Sequence, residues 1–271
     1  MVMPKARIKD IEMYYEVHGT GTPLVHIGGL AGDARAWARQ IQHLSKHYQV
    51  ICFDNRGTGR TSCPDMPYST KLFAEDTVGL MDALGIDRAH IYGISMGGCI
   101  VQEIAINHPR RVLSLIINCS FAKFDRFGAR ITENIMNVYK SQGAAEAARH
   151  ITIACYMPAY FNSHKEEIDA KEKAIADAQR PAHAFIHSAL ACLEHDSRTR
   201  LGSVRIPTLV NCGDSDPWCS PRCSEEIARL IAHARLKLYP NSSHFFLNEH
   251  FDQVMADILT FLGTANTAAA A

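Results

Sequence analysis

The segment His90-Ile91-Tyr92-Gly93-Ile94-Ser95-Met96-Gly97-Gly98 limits this chain more than any other. A β-rich run enters Gly93, and a stretch of helical period, Met96 to His108, leaves Ser95 and stops at Pro109. A serine held between strand and helix in this way sits in a tight, strained turn. A side chain at 93 or 97 would crowd it, which accounts for the glycines. The turn offers Oγ to solvent beside a helix N-terminus, where negative charge is favoured. It also demands a strand before it and a helix packed behind it, one unit of a strand–helix alternation.

That alternation runs through the first half. Ala6–Ile8 and Met13–Val17 flank a polar Lys9-Asp10 turn and predict an antiparallel hairpin. Pro23–Ile27, Val50–Phe53, His90–Gly93 and Leu113–Ile117 are short apolar runs ending in turn residues, as strands buried on both faces do. Ala34–Leu44, Thr70–Leu84 and Met96–His108 carry helical period between them. The pattern predicts an α/β fold with a mostly parallel, doubly wound sheet. From about residue 123 to 202 no strand-like run occurs. Helical stretches stand there instead, at Ile131–Ser141, Ala144–Cys155, Lys165–Gln179 and Ala182–Glu194. Pro207–Cys212 (strand), Pro221–Ala232 (helix), Arg235–Tyr239 (strand) and Phe251–Leu262 (helix) then resume the alternation. Residues 1–122 and 203–263 are therefore expected to form one core, 123–202 an all-helical insertion, and 264–271 a flexible tail.

A serine alcohol needs a base to accept its proton and an acid to orient that base. After the Pro207–Cys212 run come two acids, Asp214 and Asp216. After the next strand comes Ser243-His244-Phe245. Both turns follow strand C-termini, the edge where open parallel sheets bind ligands. Position, not residue type, singles out His244, because the chain has 14 histidines. His250 reads as a surface residue and His26 as core or a neighbour of the site. Acyl transfer also needs backbone N–H groups aimed at the developing oxyanion. Met96 and Leu30, the latter in Gly28-Gly29-Leu30-Ala31-Gly32, are the expected donors. Trp218, Phe121 and Phe245 flank these motifs and are candidates to line an apolar pocket. Arg126, Arg130 and Arg149 fall within the insertion, where one could meet a substrate carboxylate. His183 and His187, four apart, lack a third ligand and read as solvated or site-lining. Arg56, in the turn Asp54-Asn55-Arg56-Gly57, reads as structural.

Lys+Arg and Asp+Glu number 28 each. That balance argues against a nucleic-acid or membrane-surface protein. Nine cysteines, several within apolar runs, read as buried reduced thiols, which points to a cytoplasmic protein. Cys219 and Cys223 have no second ligand pair nearby, so no metal is expected. No signal peptide and no 18-residue apolar run is visible.

Together these segments resemble the α/β-hydrolase superfamily. The matching residues are Pro23–Gly32, Phe53–Thr61, Gly93–Gly98, Gly213–Pro217 and Ser243-His244, spread over nearly the whole chain outside the insertion. The chain departs at Gly28, where the family's oxyanion loop has His, and at Ser243, where it has Gly. The family's Gly-x-x-Asp register selects Asp216, and Pro217 restricts where that carboxylate can point. Within the superfamily the pattern is similar to capped esterases and enol-lactonases, to aminoacrylate hydrolases and to meta-cleavage C–C hydrolases. A serine nucleophile separates it from epoxide hydrolases and haloalkane dehalogenases, which use Asp. The resemblance implies a helical cap over a Ser95–His244–Asp216 triad. It implies a cofactor-independent hydrolase of a small carboxylic ester or lactone, monomeric or homodimeric. A C–C hydrolase of a diketone and a slow, receptor-type ligand sensor are the rival readings.

Overall fold

The computed structural model describes residues 4–177 and 181–270. Eight strands form one sheet: β1 (Lys5–Ile8), β2 (Ile11–His18), β3 (Pro23–Ile27), β4 (Gln49–Phe53), β5 (Ala89–Ile94), β6 (Val112–Asn118), β7 (Thr208–Gly213) and β8 (Arg235–Tyr239). Their order is β1-β2-β4-β3-β5-β6-β7-β8. The β1–β2 hairpin is antiparallel and β2 joins β4 antiparallel; every later pair is parallel. This is the expected α/β-hydrolase architecture.

Successive strand residues feed opposite faces, as the two-residue period of a strand requires. Val25, Ile51, Ile91, Leu115 and Ile117 pack with helices α2 (Thr70–Ala83), α3 (Met96–Asn107) and α9 (Pro221–Leu230). Leu24, Val50, Tyr92 and Ile116 pack on the other face with α1 (Ala38–Leu44) and α11 (Phe251–Ala270). The chain leaves β3 toward α1 on one face and leaves the adjacent β5 toward α3 on the other. That divergence opens a crevice at the strand C-termini.

Between β6 and β7 the chain makes helices α4 (Arg126–Gln142), α5 (Ala144–Cys155), α6 (Pro158–Ser163), α7 (Lys165–Ala176) and α8 (Ala182–Glu194). The predicted end of α7 at Gln179 lies outside the described residues. The two ends of this excursion meet at a Lys123–Asp196 bridge and at the Ser197 N–H donated to Ala122 O (2.9 Å). Where the sequence suggested a flexible tail from 264, α11 runs on to Ala270. Alanine is the best helix former, Ala265 is buried, and Asn266 Oδ1 bonds His90 Nε2 at 2.8 Å. No helix among the described residues is long and apolar enough to cross a membrane.

Candidate active site

Ser95 is the hinge of the β5–α3 turn, with φ +55° and ψ −117°. A non-glycine residue persists there only when its surroundings over-determine it. Here Ser95 N–H donates to Asn118 O (2.9 Å), while Ser95 O accepts from Gly98 N (2.8 Å) and Ser120 Oγ (2.9 Å). A Cβ at Gly93 would lie 2.4 Å from Gly97 O, and one at Gly97 2.3 Å from Ile27 O. Both glycines are steric necessities.

His244 and Asp216 follow β8 and β7. His244 Nδ1 lies 2.8 Å from Asp216 Oδ2. Asp216 Oδ1 accepts from the Trp218 and Cys219 amides at 2.8 and 2.9 Å, so both carboxylate oxygens are fixed. Asp214, the other acid of the turn, is exposed and accepts from Ser215 Oγ (2.8 Å). The His244 loop is tied to the excursion: Phe245 N–H donates to Cys155 O, and Glu249 accepts from both Ser243 N and Met157 N (2.7 Å each). Burial raises the Glu249 carboxyl above its ordinary value. Sequence reasoning missed this clamp, which takes up the amide of Ser243. Ser95 and His244 stand on the same cavity wall without a direct hydrogen bond. Cys219 also approaches Asp216 and His244, and burial holds its thiol well above the ordinary range.

The Gly28–Gly32 loop lies against the elbow, where a Cβ on Gly29 would come within 3.2 Å of Ser95 Cβ. At Gly28 the Trp37 indole fills the space a side chain would need; a Cβ there would sit 2.7 Å from its Nε1. Asn55 Nδ2 donates to Gly28 O (3.2 Å) and Asp54 Oδ1 accepts from Ala34 N (2.8 Å), which anchors the loop. Among the described residues neither the Leu30 nor the Met96 N–H is engaged in a hydrogen bond. Arg56, fully buried between Asp76 and Asp10, is structural. His26, in β3, stacks on Tyr92 at 4.6 Å with neither ring nitrogen bonded, and burial lowers its pKa to about 3.

A cavity of about 450 Å³ opens over Ser95 and His244, within the range of small-molecule sites. Gly29, Leu30, Trp37, Trp218 and Phe245 form its floor and walls, and Ile151, Cys155, Glu167, Lys171 and Ile175 from α5 and α7 its roof. Trp218 and Phe245 line it. Phe121 does not: it is fully buried and stacks on Phe124 with centroids 3.5 Å apart. Arg126, Arg130 and Arg149 do not line it either. Arg130 and Arg149 pair with Glu133 and Glu146 on the surface, and Arg126 is exposed. Two cations face the cavity, neither singled out by the sequence: Arg35, which pairs with Asp33, and Lys171. His183 and His187 bond Cys63 O and Asp65 Oδ1 (3.0 Å each), joining α8 to the loop before α2. His250 Nε2 bonds Pro240 O (2.9 Å).

Residues 22–251 match the family model described as alpha/beta hydrolase fold. The carbamate hydrolase RutD of Azorhizobium caulinodans is 31% identical over 244 residues, 90% of this chain and 92% of its own. 3-oxoadipate enol-lactonase 2 of Acinetobacter baylyi is 28% identical over 232 residues, 85% of each chain. The solved enol-lactonase of Burkholderia xenovorans LB400 superposes with a TM-score of 0.90 at 25% identity, over 96% of this chain and 100% of its own.

Proposed function

Since the chain belongs to the α/β-hydrolase fold family, we propose that it is a cofactor-independent serine hydrolase of a small carboxylic ester or lactone, with residues 123–202 as its cap. The observation that carries this reading is the 2.8 Å His244 Nδ1–Asp216 Oδ2 contact at the wall of the cavity that Ser95 also lines. With Nδ1–H donated to Asp216, the lone pair is left on Nε2, the form a general base needs. Ser95 Oγ attacks the carbonyl carbon while Nε2 takes its proton. The Leu30 and Met96 amides stabilise the oxyanion. The imidazolium, held by Asp216, returns the proton to the leaving oxygen as the C–O bond breaks. Water, activated by the same Nε2, then cleaves the acyl-enzyme. The same attack suits a carbamate carbonyl, a second reading that the relatives named carbamate hydrolases favour.

A panel of nitrophenyl esters, lactones, carbamates and a dienoate C–C substrate tests the choice. The ester or lactone arm is expected to turn over in the ordinary enzymatic range, about 1–1000 per second. Stalling near one turnover would point to a ligand sensor, and turnover of the dienoate alone to a C–C hydrolase.

A further inference from the structure

The cavity roof carries a cation that no carboxylate contacts directly, although Glu167, one helical turn away, acts on it through space. Lys171 reaches down from α7 so that Nζ stands 3.9 Å from the Phe245 ring centroid, 5.7 Å from that of Trp37 and 5.9 Å from that of Tyr156. Its neighbours on the same helix, Lys165 and Lys173, pair with Asp169 and Asp177. Among the described residues Lys171 Nζ makes no hydrogen bond and no ion pair. The three acids on the cavity wall have other partners: Glu167 accepts from Tyr160 Oη (2.9 Å) and Asn248 Nδ2 (2.8 Å), Asp33 is gripped by Arg35, and Asp177 pairs with Lys173.

A cation taken out of water is costly unless something pairs with it. Burial does depress this ammonium, to about 8, but that leaves it charged at neutral pH. Aromatic faces offset part of the cost. They do not supply the charge-assisted hydrogen bond that an ammonium can donate. Lys171 lines the same cavity as Ser95 and His244, with the Phe245 ring beside both its ammonium and the His244 ring.

We propose that Lys171 binds a carboxylate on the substrate, so that the cavity takes a small anionic ester or lactone. This rests on the reading of Ser95 as the nucleophile of that cavity. The anion displaces water from Nζ, fills the space beneath α7 and orients its carbonyl toward Ser95. Lys171 acts in binding, so its loss falls on KM and leaves kcat nearly unchanged.

Two measurements at pH 7 and low salt test this. Calorimetric titration with succinate, glutarate and adipate needs no turnover. The wild-type protein is expected to bind at least one of them, Lys171→Met to weaken it at least tenfold, and Lys171→Arg and Ser95→Ala to stay within about fivefold. In a pH-stat, Lys171→Met should raise KM for monomethyl glutarate about 10- to 100-fold, with kcat within about threefold. It should leave kcat/KM for the uncharged methyl pentanoate within about threefold. If the Met variant does not fold, Lys171→Gln carries the same readings. Absence of dicarboxylate binding in the wild type overturns the proposal. So does an equal effect of Lys171→Met on the charged and uncharged esters, the outcome of a purely packing role. Failure of the serine reading is a different result: Ser95→Ala hydrolyses methyl pentanoate at the wild-type rate while Lys171→Met still loses dicarboxylate binding.

Discussion

Replacing Asp216 by Asn changes one atom, and the structure dictates which one. The inner oxygen accepts two backbone N–H groups at 2.8 and 2.9 Å, from Trp218 and Cys219, and the outer one faces His244 Nδ1 at 2.8 Å. Turning the new NH₂ toward the two amides would leave two buried donors unsatisfied, at about 1–3 kcal/mol each. The amide oxygen therefore stays inside and the NH₂ faces His244. Nδ1 must then act as an acceptor, which moves the imidazole proton to Nε2 and removes the base. In the serine-protease template this tautomer error costs about 10⁴ in kcat, roughly 5.5 kcal/mol. Asp216→Asn is expected to lose about 10³–10⁴ in kcat on a nitrophenyl ester, with its urea midpoint close to wild type. Asp214 is exposed and bonded to Ser215 Oγ, so Asp214→Asn should lose less than about tenfold. Asp216→Asn retaining above a tenth of wild-type kcat, or Asp214→Asn being the inactive variant, contradicts the assignment of the acid.

Gly97→Ala forces a Cβ to 2.3 Å from Ile27 O, so it should lower the melting temperature by several degrees and abolish turnover. Gly202→Ala, with nothing within 4 Å of its Cβ, should do neither, and matching melts for the two would contradict the steric account. Burial holds His26 near pKa 3, so below about pH 6.5 the unfolded chain takes up a proton that the folded one refuses until about 3. Stability from this residue is whole above pH 6.5 and falls as pH drops toward 3, by up to about 1.4 kcal/mol per pH unit. His26→Phe should flatten urea midpoints measured between pH 6.5 and 4.5. His195, lowered to about 4 by burial, keeps some slope in that variant, but slopes identical to wild type would count against the buried neutral imidazole.

What is legible in a sequence depends on how local its cause is. Only glycine fits at 93 and 97, so the elbow announces itself. β5 and β7 are buried along their whole length, so they read as mostly apolar runs without a polar alternation. The register before Pro217 favours Asp216 over Asp214, and Asp216 is the acid that lies 2.8 Å from His244 Nδ1. The one-turn helix Phe246–Glu249 and α6 are too short to carry a period. Phe121 is misjudged because flanking a motif does not say which face a ring takes; the stack on Phe124 decides it. Lys171 is invisible because Lys165-Glu166-Glu167-Ile168-Asp169-Ala170-Lys171 reads as a solvated face. Only the fold of α7 over Phe245 separates it from Lys165 and Lys173. The clamp of Glu249 on Ser243 and Met157 is likewise tertiary, joining segments with no shared sequence signal.

The nucleophile is tested most directly by covalent labelling. A fluorophosphonate phosphonylates an activated serine with loss of fluoride, and intact mass followed by peptide mapping counts and locates the adduct. The account predicts one adduct per chain, on Ser95, with none on Ser95→Ala and labelling slowed by about 10³-fold or more in His244→Ala. An adduct on another residue, or a Ser95→Ala variant that labels and hydrolyses ester at the wild-type rate, contradicts it.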